Sequence, residues 1–493
     1  MGLHIQQDTF FPADYERFSE RLRTCLTALR EVLARPGFGE GPISMGAELE
    51  MFLVDDQAQP MFRNREVLGR IDDPRVTLEL ARFNMEVNAR PVSFAGRPFA
   101  ALERELKSLI QRVRASAAEE GARVVLIGIL PTLRAEHLQH DALTDAERYR
   151  ALDAGIRQLR GTPMTVRIDG EDAISLQSQE LALQGANTSF QVHLRVRPAD
   201  FGRVYNAAQI ATAPALALAG NSPLFVGHRL WEETRIALFK QTADDRGLLP
   251  LGWRAARASF GHGWVRQGPL ELFEESVALH APLLPVCSEE DSLAVTQRGE
   301  LPALDELRLH HGTVWTWNRV VYDPSAGGHV RIEFRPLPAG PTVPDMLANG
   351  AFLLGLTLGL VQEMDWMLPA LPFPYADYNF YRAAQHGLGA HFLWPSQEAP
   401  SPRPVSAEQL LPTLLPLAER GLRSAGVDAE EVSALLGLLA NRLERRQTGA
   451  QWQRRALAHF EKGKPRPEAL RAVVERYLAL SDAGTPVHTW PVE

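Results

Sequence analysis

Acidic, basic and amide side chains recur at every second position in four separate stretches of this chain. They are Glu48-Leu49-Glu50-Met51-Phe52-Leu53, Asn84-Met85-Glu86-Val87-Asn88, Gln191-Val192-His193-Leu194-Arg195-Val196 and Arg331-Ile332-Glu333-Phe334-Arg335. Side chains on a strand alternate between faces. Each stretch therefore reads as a strand with one apolar face and one face of Glu, His, Arg, Gln or Asn. An ordinary solvent face mixes Lys, Thr, Ser and Glu, whereas these hold no Lys. Glu48 and Glu50 point the same way, roughly 7 Å apart at the backbone. Carboxylates that close repel unless a cation lies between them. With Glu86, Glu333 and His193 from other strands, the set is oxygen-rich with one imidazole. That suits Mg²⁺, with Mn²⁺ also compatible. A zinc hydrolase would show a HExxH helix or a Cys cluster, and neither is present. For any one of these strands, pairing with Arg across a sheet is the favoured reading. Four strands of the same polarity favour chemistry. His193 taken alone reads as a structural histidine; its place between Gln191 and Arg195 on the charged face makes a ligand role equally open.

Arg195, Arg331 and Arg335 lie on the same faces, and Arg235 lies in a helical stretch. A guanidinium fork matches a carboxylate or a phosphate. Arg335, two residues from Glu333, is the best candidate for a substrate or phosphate contact. Arg195 reads equally as a salt-bridge partner. Asn84 and Asn88 would hydrogen-bond neighbours or fix an amino-acid group, the first being favoured. The chain has no GxxxxGK motif followed by Ser or Thr, no GxGxxG before a helix, and no GxSxG. Phosphoryl transfer by cations and arginines needs none of these.

The elements that must carry these residues follow from periodicity. Asp14 to Leu33 and Ala100 to Glu120 read as amphipathic helices. Val124 to Leu130 reads as a buried strand, and Thr165 to Asp169 as a strand pairing with Thr188 to Val196. Phe201 to Ala219 is a small-residue helix ended by Gly220-Asn221-Ser222-Pro223. Thr313 to Val321 and Val330 to Arg335 read as a hairpin. Pro344 to Met364 reads as a helix. Pro400, Pro402 and Pro404 mark a loop, and Ala407 to Leu480 is helical. The fold class is α+β, with a helical C-terminal extension.

With 493 residues, one large or two intimately packed domains are expected. A net charge of −8 argues against general nucleic-acid binding. Cys25 and Cys287 are far apart, which reads as two free thiols in a reducing cytoplasm. The N-terminus shows no basic start followed by an apolar run, so no signal peptide is expected. The apolar run Ala351 to Val361 is shorter than the ~20 residues a bilayer requires and reads as a buried helix.

These residues carry a resemblance. Met45 to Asp55 (MGAELEMFLVD) and Phe83 to Pro91 (FNMEVNARP) resemble the first two metal-bearing strands of the glutamate–cysteine ligase family 2 proteins. Phe190-Gln191-Val192-His193 resembles their histidine-bearing strand, and Ala219 to Phe225 (AGNSPLF) their small-residue helix end. The longest match runs from His311 to Arg319 (HGTVWTWNR) through Arg331 to Pro336 (RIEFRP). The resemblance covers about Ser44 to Val361, and Arg446 to Trp452 (RQTGAQW) is also similar. It implies a glutamine-synthetase-like fold, a curved antiparallel sheet with helices on its outer face, whose concave face holds divalent metals and ATP. It implies a catalytic domain over 1–365 and a mostly helical extension over 366–493 packed on it. It implies Glu48, Glu50, Glu86, His193 and Glu333 as metal ligands, and Arg335 and Arg235 at the reacting groups. Arg335, Arg331 and Arg195 are then the cations expected at the nucleotide. Glu79 is a weaker further ligand, because its surroundings look helical.

The chemistry implied joins a carboxylate, glutamate by preference, to an amine such as cysteine through an acyl phosphate. Small amino acids are then the expected partners, without nucleic acid or membrane, and a homodimer is compatible. Two rivals stay open: a phosphagen-kinase-like phosphotransferase, and a non-catalytic ATP-binding protein of the same fold. Product analysis separates them, since a ligase releases phosphate with an amide and a kinase keeps a phosphorylated product.

Overall fold

A computed structural model of the chain describes residue 5 and residues 9–247, 254–397 and 401–492. Its centre is an antiparallel sheet of seven strands: β1 Ser44–Val54, β2 Val76–Leu78, β3 Asn84–Ser93, β4 Arg123–Val125, β5 Phe190–Val196, β6 Asn318–Asp323 and β7 His329–Phe334. The order across the sheet is β6-β7-β5-β1-β3-β2, and β4 extends it beside the last residues of β1. The sheet curls into a half-barrel. The main helices are α1 Pro12–Leu33, α2 Pro98–Glu119, α3 Glu147–Arg160, α4 Phe201–Ala219, α5 Thr234–Thr242 and α6 Val343–Leu360. They continue with α7 Ala407–Ser424, α8 Ala429–Arg445, α9 Gly449–Phe460 and α10 Arg466–Asp482.

The period of two sorts the strands onto two environments. Met45, Ala47, Leu49, Met51 and Leu53 of β1 join Met85, Val87, Phe190, Val192, Leu194, Ile332 and Phe334 in the larger core. Residues of α1, α2, α4 and α6 complete that core behind the sheet. The other face carries Glu48 and Glu50, then Phe52 and Val54. These last two belong to a second core built with Trp452 of α9 and Tyr477 of α10. The C-terminal helices thus close one end of the concave face.

Several elements depart from the sequence expectation. Met164–Asp169 pairs with Ala173–Ser178 as a separate hairpin, while β5 pairs with β1 and β7. The Gly170 turn, closed by an Asp172 carbonyl bond, makes this local pairing available. Of the expected strand up to Leu130, only the part within Arg123–Val125 is strand, because β4 runs antiparallel to β1 and the β1 edge that later residues would meet is taken by β5, which pairs from Leu49 back to Met45. The hairpin of β6 and β7 forms as expected, but Trp315–Thr316 pairs with Ala258–Ser259 instead of extending it. Pro400 lies outside the described residues. Arg403–Ser406, which includes Pro404, forms a short hairpin with His391–Trp394 where a loop was expected. The apolar stretch is longer than its sequence core suggests. Val343–Ala370 has the length and composition to cross a membrane, and 89% of its most apolar window is buried inside the protein.

Candidate active site

Strand register brings the charged residues together. Glu333 of β7 stands opposite His193 of β5, Glu50 of β1 opposite Glu86 of β3, and Glu48 between Gln191 and Asn88. Directly opposite side chains on one face are contact neighbours. All of these except His193, together with Arg319, Arg331, Arg335 and Arg235, line one cavity of about 510 Å³ on the concave face.

The residues form two triads. In the first, ligand atoms of Glu48, His193 and Glu333 lie within 4.8 Å of one another. His193 Nε2 stands 3.5 Å from Glu48 Oε1 and 3.7 Å from Glu333 Oε1. It is buried and has no hydrogen-bond partner among the described residues. Those gaps are long for hydrogen bonds, and they suit atoms sharing one cation at ~2.1 Å each. Burial lowers the His193 pKa, which keeps the imidazole a neutral ligand. Burial alone would raise Glu333, but Arg319, Arg335 and His193 more than reverse this and hold it well below the usual carboxylate range.

The second triad is Glu50, Glu79 and Glu86. Burial, then the charge of Glu79, pushes the Glu50 carboxyl up, against the opposing pull of Arg335 and Arg235. Burial, then Glu48, Glu79 and Glu50, also pushes Glu86 well up. Three carboxylates this close do not all ionise alone, so this donor set also fits a hard divalent cation. Their orientation is fixed from behind. Glu50 accepts from the Ser189 N–H at 2.6 Å and from Gln191 Nε2 at 3.1 Å. Glu86 accepts from Asn88 Nδ2 at 2.6 Å, so Asn88 holds a neighbour. The Asn84 side-chain amide has no partner among the described residues.

The arginines divide by what they touch. Arg335 Nη1 donates to Gln191 Oε1 at 2.8 Å and lies 3.4 Å from Glu333. Arg235 is buried. Its Nε donates to Glu233 and its Nη2 to the Pro336 carbonyl. Arg331 lines the cavity and pairs with Asp323 at 2.9 Å. Arg195 sits apart from the other three. It does not line the cavity, and its Nη2 donates to the Glu40 carbonyl at 3.3 Å. β5 carries it two residues beyond His193, to the rim.

Two residues stand in the cavity that the sequence expectation underweighted or left out. Glu79 follows β2 and faces the same way as Thr77, which pairs with Glu86. The run Val76-Thr77-Leu78-Glu79-Leu80 alternates, which was the available signal. Arg319 of β6 stands opposite Glu333 and grips it with two bonds, Nε at 2.6 Å and Nη2 at 3.1 Å. Trp315 and Trp317 line the cavity with Phe239, whose ring lies 5.9 Å from each. His310 bonds the Ser276 carbonyl through Nε2.

The sequence pattern of glutamate–cysteine ligase family 2 matches residues 44–476, reaching past the sheet through most of α10. The chain belongs to this family. As a family 2 member, its ancestry supports an ATP-dependent carboxylate–amine ligase. No curated protein sequence matches the chain. Among solved structures, glutamate–cysteine ligase from Francisella tularensis in complex with AMP superposes with a TM-score of 0.54 at 11% identity. That match covers 92% of this chain and 91% of the other. A bifunctional glutathione synthetase from Pasteurella multocida aligns more loosely, with a TM-score of 0.47 at 13% identity over 95% of this chain and 55% of the other. The fold of this family 2 protein is the glutamine-synthetase-like one that the sequence resemblance implied.

Proposed function

We propose that the protein is an ATP- and Mg²⁺-dependent ligase forming a γ-glutamyl-type amide between glutamate and an amine such as cysteine. The observation that carries this reading is the pair of triads on one concave face, Glu48–His193–Glu333 and Glu50–Glu79–Glu86, with arginines between and around them. These six side chains would hold divalent cations, which would supply positive charge to offset that of phosphoryl transfer.

The chain's own groups do the rest. Arg335 and Arg235 line the same wall and offer cationic donors to the transferred phosphoryl group. Arg331 adds a cation for the nucleotide, beyond the Glu333 triad. Gln191 links Glu50 to Arg335, donating to Glu50 and accepting from Arg335, so the two triads share a rigid support. The fixed amide and carboxylate partners leave little to reorganise as charge develops. The Francisella tularensis enzyme, of the same fold, holds AMP, which supports nucleotide as the second substrate. Magnesium, glutamate, a small amino-acid acceptor and a cytoplasmic setting belong to this proposal.

The site assignment is tested with Glu50→Ala and Glu333→Ala. Each should lower metal-dependent ATP turnover at least about 100-fold. Full activity in both variants would remove the assignment.

A further inference from the structure

The motif Arg446 to Trp452 takes no part in the metal or phosphate chemistry, yet it lies behind Arg235. α9 starts within the motif, capped by the Thr448 hydroxyl. The Ala450 N–H donates to the Gly220 carbonyl at 2.8 Å. One turn on, Gln453 Nε2 donates to both oxygens of Asn221, the carbonyl at 3.0 Å and Oδ1 at 2.9 Å. Gly449 packs so closely that a Cβ there would collide with Asn221 Oδ1. From α10, the Tyr477 hydroxyl accepts from Asn221 Nδ2 at 2.9 Å and donates to the Leu126 carbonyl at 2.7 Å.

The chain of bonds continues inward. The Asn221 N–H donates to Glu233 Oε2 at 2.9 Å, and Ser222 Oγ donates to Glu233 Oε1 at 2.8 Å. Glu233 Oε1 then accepts from Arg235 Nε at 2.9 Å, while Arg235 Nη2 donates to the Pro336 carbonyl at 2.6 Å. Pro336 directly follows Arg335. Glu233 is 0% exposed and Arg235 3%. Arginine has a long, flexible stem, and a cation that acts on developing charge must be held in place beforehand. Two fixed partners on Nε and Nη2 set the plane and direction of the guanidinium.

We propose that Gln453, Asn221 and Glu233 are positioning residues for Arg235, which makes the C-terminal helices a working part of the site. The role given to Arg235 rests on the ligase reading; the place where it is held does not. The chain explains why the RQTGAQW motif carries a glycine at 449, and why α9 meets the end of α4 at Gly220–Ser222.

The test uses full-length protein and two variants of the second core. Gln453→Ala removes the outer link. Leu470→Ala trims a buried side chain of α10 outside the bonded chain. Both should lower the melting temperature. Only Gln453→Ala should lower kcat for ATP turnover, about tenfold, with KM for ATP changed less than about twofold. Equal kcat per folded molecule in the two variants would overturn the proposal. Should Gln453→Ala not fold, Glu233→Gln, which keeps the side-chain size, takes its place. Crystal structures give a second reading without turnover. Arg235 should leave the Pro336 carbonyl in Gln453→Ala and stay in Leu470→Ala; an unmoved Arg235 in both would also overturn the proposal. A displaced Arg235 alongside a wild type that releases no phosphate with any amine would leave the positioning chain standing and remove the ligase reading.

Discussion

Glu50 and Glu86 are held protonated more readily than ordinary carboxyls, while Glu333 is held ionised. The contrast follows from partners: Glu333 has Arg319 and Arg335, and the Glu50 triad has mostly other carboxylates. It sets a sign for stability. Above the ordinary carboxylate range of ~4.3, the folded, metal-free protein binds more protons at Glu50 and Glu86 than the unfolded chain does. Its stability contribution from these groups is therefore present at low pH and lost as pH rises towards their folded values. The melting temperature without divalent cation should fall on that account between about pH 5 and pH 8. Saturating Mg²⁺ should flatten or reverse the fall, because binding needs the ionised forms. A scanning-calorimetry pH series that gives the same slope with and without metal would contradict this. Arg319 acts one step out, by orienting Glu333. Arg319→Met should weaken metal binding about 10–100-fold, read by titration calorimetry, and an unchanged affinity would show that Glu333 needs no such support. Of these residues, Glu48, Glu50, Glu86, His193 and Glu333 were legible because each sits in an alternating run. Arg319 was not, because its face-mates on β6 are Val321 and Asp323, and only the register with β7 reveals its partner. Arg195 looked equivalent to Arg331, which it pairs across the sheet. The sequence does not say that the cavity ends before it.

At the scale of elements, register performs the assembly. A slip of one residue between β5 and β7 would turn Glu333 or His193 into the core. Apolar alternation behind the sheet forbids it, with Leu49, Val192 and Ile332 all fully buried. Behind that core α6 meets α7 at glycine contacts, where a Cβ on Gly421 would collide with the Gly355 carbonyl. α8 is tied to the same layer by a buried ion pair, Arg442 to Asp345 at 2.8 Å. Arg442 also donates to the Leu218 carbonyl at the end of α4. Asp345 in turn accepts from the Val487 N–H near the C-terminus at 3.0 Å. Removing one member of a buried pair leaves an uncompensated charge, which costs about 3–5 kcal/mol. Arg442→Met should lose about that much stability in urea unfolding, and adding Asp345→Asn should recover part of it. A single variant as stable as wild type would show that the pair is solvated or dispensable. The helices α1, α2, α4 and α6 were legible from their stripes and breakers. The pairing of Met164–Asp169 was not, since an alternating strand does not name its partner.

In the whole molecule, two cores share one sheet. The larger core lies behind it, and the smaller one seals the end of its concave face with α9 and α10. The C-terminal helices looked like an extension in the sequence because their apolar stripes hold no chemistry. Their contacts with Asn221 and with Phe52's neighbourhood appear only in three dimensions. The general type of fold was legible because a binding face on a sheet must repeat its polarity on strand after strand. The acceptor amine was not, because specificity is set by the shape of the cavity wall rather than by a periodic signal. The chemistry proposed for this face joins a carboxylate to an amine, with ATP cleaved to ADP and phosphate. The most direct test incubates purified protein with ATP, Mg²⁺ and glutamate across a library of amines that includes cysteine, measuring ADP, phosphate and product mass together. One ADP and one phosphate should be released per new amide, with release lost in Glu333→Ala. A phosphorylated product that persists without an amide, or no release with any amine while nucleotide still binds, would contradict it.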